Sequence, residues 1–159
     1  MRKHVVVLGA NFGGLTAALA VKHELHGDVD VTVVSPSDHF LFNPSLIWLP
    51  FGKRDRADIT FPVAPTLESH GISFEHAAAA GIDPAGHQVS LADGRTLDYD
   101  YLVVATGYRN KTDVVPGFEE NAFTITISLV SGFSLDLNRF RLWMTALRLI
   151  SSTVSCAFC

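Results

Sequence analysis

The chain has 159 residues and a mass of 17.3 kDa, enough for one domain with a buried core and too few for two. Apolar residues make up 48% of the sequence and charged residues 18%, and the formal net charge is −4. These values exclude the composition of a disordered chain and that of a basic nucleic-acid-binding protein. We therefore expect a globular protein with no nucleic-acid partner.

The composition changes near Ser128. All 7 Pro and all 7 His precede this residue, both Cys follow it, and an acidic excess gives way to a basic one. We predict an N-terminal domain over residues 1–127 and a divergent apolar tail over 128–159. The tail is compatible with a helix, but we expect an abnormal ending, such as a shifted reading frame or a premature stop.

The two ends of the chain bear on its location. The apolar run Val5–Leu8 is too short for the core of a signal peptide, and the apolar stretch 142–159 carries Arg148 near its middle, unlike a membrane-spanning helix. With 2 Cys and no export signal, the chain is expected to be cytoplasmic and reduced. Peripheral association with a membrane surface stays open.

The first 35 residues predict a βαβ unit. Residues 4–8 are a β-branched run ended by Gly9, residues 13–26 carry Leu and Ala at helical spacing, and residues 29–34 form a second apolar run. Such a unit sets its two strands parallel, with a right-handed crossover.

The remaining elements are shorter. Residues 35–61 have no clear period and contain three prolines, so they predict a long irregular excursion. The Asp93-Gly94 pair between two apolar runs predicts a small antiparallel hairpin. The other predicted elements are a helix over 63–70, extended chain at 72–74 and 77–80, hairpin strands at 89–91 and 96–99, and a buried strand at 101–105.

A glycine-rich turn, Gly9-Ala10-Asn11-Phe12-Gly13-Gly14, lies between the first strand and the first helix. A dinucleotide-binding fingerprint, G-x-G-x-x-G, belongs at this position, where helix N–H groups hold a pyrophosphate. Gly9 and Gly14 fill the first and third glycine positions. Asn11 fills the second, and we expect it to be tolerated because Asn accepts left-handed φ. Glycine needed only for a tight turn is the alternative, but the βαβ context favours dinucleotide binding.

The tip of the second strand departs from the fingerprint. An acidic residue usually binds the ribose hydroxyls there, whereas this chain has Ser35. A serine can make one neutral hydrogen bond to a ribose. Asp38 lies three residues later, and we interpret it as a turn residue rather than a ligand.

Several segments together resemble a known family. They are 9–15, 31–35, 40–46, 53–55, 91–94, 98–107 and 115–117, of which Tyr99-Asp100-Tyr101-Leu102-Val103-Val104-Ala105-Thr106-Gly107 is the most specific. In this order they resemble the flavoproteins with two dinucleotide-binding domains, and among these the sulfide:quinone oxidoreductases and type II NADH dehydrogenases. The resemblance covers about residues 3–120.

The resemblance implies an α/β fold: a Rossmann-type parallel sheet that binds FAD, with a small antiparallel hairpin insert, incomplete relative to the family. It implies a pyrophosphate on the glycine turn, a ribose near Ser35 and an adenine against the backbone near Ala78. The cofactor-binding residues implied in this way are Gly9, Asn11, Phe12, Gly13, Gly14, Ser35, Pro44, Ser45, Ala78, Ala79, Ala105, Thr106 and Gly107.

The function that the resemblance implies is the FAD-binding part of an oxidoreductase. Electrons would pass from NAD(P)H or sulfide through FAD to a quinone-type acceptor. Sulfide-oxidising members carry a cysteine shortly after the Pro-Gly segment, whereas residues 123–127 here contain none, so no catalytic residue is assigned. A stand-alone nucleotide-binding module and an inactive truncated product remain alternatives. We expect no metal site, either at His23 and His26 or at Cys156 and Cys159.

Overall fold

A computed structural model describes residues 2–25, 28–49, 51–108, 111, 114, 116 and 117. The predicted boundary at 127, the tail 128–159 and the Cys156–Cys159 pair lie outside these residues. Residues 42–59 belong to a different compact unit from residues 1–41 and 60–108.

The described residues form short strands and two α-helices. The strands are β1 (Lys3–Leu8), β2 (Val29–Ser35), β3 (His39–Leu41), β4 (Thr60–Pro62), β5 (Ser73–His76), β6 (Ala79–Asp83), β7 (Gln88–Leu91), β8 (Thr96–Asp98) and β9 (Tyr101–Val104). The α-helices are α1 (Phe12–Glu24) and α2 (Val63–Ser69), and 3-10 helices span Asn43–Trp48 and Arg56–Asp58. The helices predicted near 13–26 and 63–70 and the strands of the βαβ unit are thereby confirmed.

The main sheet has four strands in the order β5-β2-β1-β9, and each neighbouring pair is parallel. Its central strands are apolar on both faces because helices cover one face and the small sheet covers the other. Val6, Val7 and Val33 are consequently fully buried. The α/β parallel sheet predicted from the sequence is confirmed.

Alternate residues of β1 and β2 face two separate cores. Val5, Val7, Val31 and Val33 join Ala18 of α1 and Leu67 of α2 in the larger cluster. Val6, Leu8 and Val34 join Val89 and Leu91 of the small sheet in the other. The small sheet therefore packs on one face of the parallel sheet.

The small sheet is antiparallel, with the order β6-β7-β8. Its β7–β8 turn contains Gly94 at φ +88°, which confirms the hairpin predicted from Asp-Gly. The sequence did not predict that β6 would join this hairpin as a third strand. A register shift lies between Ala79 and Gly81, where β6 meets β7.

The prediction of an irregular excursion over residues 35–61 was wrong at its two ends. β3 and β4 pair there in antiparallel fashion, with Phe40 opposite Phe61. The intervening residues 42–59 contain the two 3-10 helices. Among the residues that the structure describes, no helix has both the length and the apolar character to span a membrane.

The amino ends of β1 and β9 are joined through Asp100. Its Oδ2 accepts the backbone N–H of His4 (2.8 Å), its Oδ1 accepts Lys3 Nζ (2.6 Å), and its own N–H donates to the His4 carbonyl (2.8 Å). The hydrogen bond from Lys3, followed by that from the His4 amide, lowers the pKa of Asp100. This carboxylate thus fixes where β9 begins beside β1.

Candidate functional site

Gly9 makes the turn that leaves β1. Its φ is +106°, and its N–H donates to the Val34 carbonyl at 2.8 Å, which holds the turn against the end of β2. A Cβ at this position would overlap the carbonyl oxygen of Ala105 and would lie 2.9 Å from its carbon. Both the backbone conformation and the close approach to the residue after β9 therefore require glycine.

Gly14 sets the distance between α1 and β1. It is buried, and a Cβ on it would overlap the carbonyl oxygen of Gly9 and lie 2.7 Å from the carbonyl carbon. Gly13 differs from Gly14 because it is exposed to solvent. A Cβ on Gly13 would meet only Ala105 Cβ, at an ordinary contact distance of 3.5 Å. The glycines at the first and third fingerprint positions thus fulfil the packing roles that the fingerprint assigns to them.

The structure corrects the reason given for Asn11. Its φ is −103°, so the left-handed conformation that we expected asparagine to tolerate is not used. Asn11 is the N-cap of α1, and its Oδ1 accepts the N–H of Phe12 at 3.0 Å. A residue other than glycine fits here because the backbone stays extended and the side chain caps the helix.

The start of α1 places backbone amides ahead of its first hydrogen bond, beside the turn. The first hydrogen bond of the helix runs from Leu15 N–H to the Asn11 carbonyl at 2.8 Å, so the amides of Gly13 and Gly14 precede it. The first turn contains no acidic residue. Because the helix dipole adds positive potential at this end, the turn favours a bound anion such as a phosphate group.

Phe12, the first residue of α1, connects the turn to an aromatic row. Its ring meets that of Phe40 edge-on at a centroid distance of 4.8 Å, and Phe40 stacks on Phe61 at 4.8 Å. Phe40 is buried, whereas Phe12 and Phe61 are exposed. This row fixes the entry of α1 beside β3 and β4.

Ser35 ends β2 and is 5% exposed. Its Oγ accepts the backbone N–H of Ser37 at 3.1 Å and thereby stabilises the turn that follows the strand. The hydroxyl keeps its proton to donate. The predicted contact of Ser35 with a ribose hydroxyl stays a prediction, now with serine as the donor.

The turn after β2 is also tied to the end of β5. His76 Nε2 donates to the Pro36 carbonyl at 3.1 Å, and His39 Nδ1 donates to Asp38 Oδ1 at 2.7 Å. The hydrogen bond from His39, with a smaller effect of the His76 charge, lowers the pKa of Asp38. Asp38 is therefore an ionised turn residue, whose own carbonyl accepts Val63 N–H at 2.9 Å.

The segment after β9 completes the same edge of the sheet. Ala105 N–H donates to the Leu8 carbonyl at 2.8 Å, so Ala105 lies directly beside the glycine turn. Thr106 and Gly107 follow in exposed chain, and Gly107 has φ +76°. This placement agrees with the strand-end position that the sequence predicted for residues 105–107.

Of the other two pairs of predicted site residues, one follows β5 at the same carboxyl edge of the sheet and the other belongs to the separate unit. Ala78 and Ala79 follow β5, and the Ala78 carbonyl accepts Ala92 N–H at 2.8 Å. Pro44 and Ser45 begin the 3-10 helix Asn43–Trp48, inside the separate unit. The structure thus brings residues 9–14, 35, 78–79 and 105–107 to one edge of the parallel sheet.

Metal-ligating groups do not cluster in the part of the chain that the structure describes. The side chain of His23 is 84% exposed and lies 3.4 Å from Glu24 Oε1, and His26 falls outside the described residues.

The parallel sheet, α1 and the glycine turn define a Rossmann-type nucleotide-binding fold. The chain matches the pyridine nucleotide-disulphide oxidoreductase family over residues 3–145 and belongs to it. This match continues beyond residue 127, and the domain boundary there stays a prediction.

The relatives reduce quinones according to their names. The sulfide-quinone reductase of Aquifex aeolicus is 38% identical over 125 residues, which cover 79% of this chain and 29% of the relative. A type II NADH:quinone oxidoreductase of Staphylococcus epidermidis is 30% identical over 131 residues, covering 82% and 32%. The crystal structure of the Aquifex sulfide:quinone oxidoreductase superposes with a TM-score of 0.72 at 32% identity, covering 94% of this chain and 32% of that one. The chain thus spans about a third of the length of these relatives.

Proposed function

We propose that this chain is the FAD-binding part of a flavoprotein oxidoreductase that passes electrons from NAD(P)H or sulfide to a quinone-type acceptor. The proposal rests on the geometry of the glycine turn together with family membership. The relatives named above take sulfide or NADH as donor and a quinone as acceptor by their names.

The observation that carries the proposal is the absence of room for a side chain at Gly9 and Gly14. Two glycines in contact bring the start of α1 against the end of β1, so that the helix amides open onto the carboxyl edge of the sheet. In open α/β sheets ligands bind at this edge. The residues present therefore fit a dinucleotide pyrophosphate.

The residues that would hold FAD follow from this edge. The amides of Gly13 and Gly14 would bind the pyrophosphate, and Ser35 would donate to a ribose hydroxyl. The backbone at Ala78 and Ala79 would meet the adenine. The remaining proposed contacts at this edge are Gly9, Asn11, Phe12, Ala105, Thr106 and Gly107. Pro44 and Ser45 belong to the separate unit and stay contacts that the resemblance alone implies.

Bound FAD would supply the hydride and electron chemistry, and the protein would supply position and electrostatics. Gly13 and Gly14 stabilise negative charge on the phosphates through their N–H groups. Phe12 fixes the first turn of α1 through Phe40, which keeps these amides oriented. No residue is assigned to the donor or the acceptor.

Titration of the purified full chain with FAD tests the proposal. We expect quenching of flavin fluorescence with a dissociation constant below about 10 μM. The Gly14→Ala variant should bind at least tenfold more weakly, and the Gly13→Ala variant should stay within about threefold of wild type. Folded wild-type protein that leaves flavin fluorescence unchanged would refute the proposal.

A second measurement separates an oxidoreductase from a nucleotide-binding module. NADH or sulfide is added without oxygen to the FAD-loaded chain, and the flavin absorbance is followed before and after a water-soluble quinone is added. Bleaching by one donor and recovery with quinone would support turnover. Stable FAD binding without bleaching would support a module that binds the nucleotide and does not react.

A further inference from the structure

The turn between β7 and β8 is tied to the parallel sheet by Arg95. One guanidinium nitrogen, Nη1, lies 2.9 Å from Glu75 Oε2, and Nε donates to Asp93 Oδ2 at 2.8 Å. Asp93 Oδ1 also accepts the backbone N–H of Arg95 at 3.0 Å. Asp93, in the same turn, thus orients the guanidinium group that contacts Glu75 on β5.

This tie lies at the carboxyl edge of the sheet, where the dinucleotide site is proposed. Glu75 pairs in register with Val34, one residue before Ser35. On the opposite, amino edge, His4 Nδ1 donates to the Asp98 carbonyl at 2.7 Å and ties the other end of the hairpin to β1. Between these two ends, Val89 and Leu91 pack against the parallel sheet. Apolar contacts of this kind are not directional, so they do not by themselves fix how the hairpin is oriented.

The position of the residues between β5 and β6 depends on the position of the β7–β8 hairpin. Ala77 N–H bonds back to the Glu75 carbonyl at 2.9 Å, and the Ala78 carbonyl accepts Ala92 N–H at 2.8 Å. Residues 77–79 are therefore held by β5 on one side and by the hairpin on the other. Arg95 joins these two supports directly.

We propose that Arg95 is a positioning residue for the adenine end of the dinucleotide site, acting through Glu75 on the backbone of residues 77–79. The inference rests on the proposed function, because it assumes that an adenine meets this backbone. Arg95 does not contact the nucleotide. It determines how well the site distinguishes adenine from another base.

The ion pair is exposed at Arg95 and half-buried at Glu75, and such a pair contributes little to global stability, so its loss should leave the fold intact. The discriminating readout is the ratio of the affinities for ADP and GDP, measured by calorimetry on the full chain. A general loosening of the protein would weaken both nucleotides alike. Misplacement of residues 77–79 would weaken ADP alone, since the two ligands share their diphosphate and ribose.

We expect Arg95→Gln to reduce the ADP-to-GDP affinity ratio by about three- to fivefold. Glu75→Gln should cause the same loss, and the double variant should lose no more than either single one, because both act through one contact. Arg95→Lys should recover part of the ratio. The control is Arg2→Gln, which removes the exposed Arg2–Asp30 pair (3.7 Å) at the amino edge and should leave the ratio unchanged.

An unchanged ratio in Arg95→Gln, with wild-type ADP binding intact, would overturn this inference alone. Equal weakening of both nucleotides, accompanied by a lower urea midpoint, would also overturn it. Wild-type protein that is folded and binds neither FAD nor ADP would instead refute the proposed function, and the inference would fall with it.

Discussion

Replacing Gly14 by alanine should destabilise the protein, although the same change in most helices stabilises it. A Cβ on Gly14 would overlap the Gly9 carbonyl oxygen and lie 2.7 Å from its carbon, where ordinary contact begins at 3.4 Å, so α1 must move by more than about 0.7 Å. Such overpacking costs about 1–3 kcal/mol. The gain in helix propensity is about 1 kcal/mol at most and offsets only part of this cost. We expect a net loss of about 1–2 kcal/mol.

Gly13→Ala is the matched control, since it makes the same change one residue earlier in the same helix. Its Cβ would meet Ala105 Cβ at 3.5 Å, which is ordinary contact, so only the propensity term remains. This variant should be about 0.5 kcal/mol more stable than wild type.

Urea denaturation followed by circular dichroism measures both variants, with the unfolding slope m as a check that the denatured state is unchanged. In thermal scans the Gly14→Ala loss corresponds to a decrease of roughly 2–8 °C. A Gly14→Ala protein as stable as wild type would refute the argument from close contact. So would a Gly13→Ala protein destabilised as strongly as Gly14→Ala.

Three further outcomes follow from the described contacts. Gly9→Ala must adopt φ +106° and displace the carbonyl after β9, so FAD titration should detect no binding under conditions that saturate wild type. Because the hydrogen bond from Lys3 lowers the pKa of Asp100 from its ordinary value of 3.8, the stabilisation is present above that pH and is lost as the pH falls further. Asp100→Asn should therefore flatten the acid side of the stability curve, read as urea midpoints between about pH 6 and pH 3. Phe40→Ala should cost about 3 kcal/mol or more, because the ring is 6% exposed, whereas Phe61→Ala at 41% exposure should cost less than about 1.5 kcal/mol by the same denaturation assay.

The sequence predicted the central strands well because their apolar runs are continuous. β1 and β2 are bounded by polar residues or glycine, and their buried runs, residues 5–8 and 31–34, consist almost entirely of Val and Leu because both faces are covered. β9 lies at the edge of the described sheet with Tyr101 and Val104 exposed, so the prediction of a buried strand at 101–105 was wrong about its burial. The hairpin was predictable for a different reason, since Asp93-Gly94 specifies a local turn. Signals of this kind act over a few residues and survive without tertiary context.

The pair β3–β4 could not be predicted in the same way. Each strand has three residues, and Phe40 pairs with Phe61, from which it is separated in sequence by the unit of residues 42–59. No local period records such a pairing. Short strands are specified by contacts that are distant in sequence, and here by the ring stacking of Phe40 on Phe61.

Within the candidate site, sequence reasoning identified the glycines and misjudged the asparagine. A letter pattern does not distinguish a left-handed backbone from a helix cap at Asn11, because asparagine suits both. No structural role was predicted for Asp100 from the sequence, although this residue lies in the most specific segment of the resemblance. Its two hydrogen-bond partners, Lys3 and the His4 amide, lie at the far end of the chain and leave no local trace.

The placement of β9 beside β1 has a consequence for protein synthesis. Lys3 leaves the ribosome long before Asp100, since 97 positions separate them, and translation adds about 5–20 residues each second. For several seconds the nascent chain therefore carries β1 with one side unpaired, and that strand includes the apolar run Val5–Leu8. Chaperone capture of the growing polypeptide is expected in this interval, and slower codons before residue 101 would lengthen it.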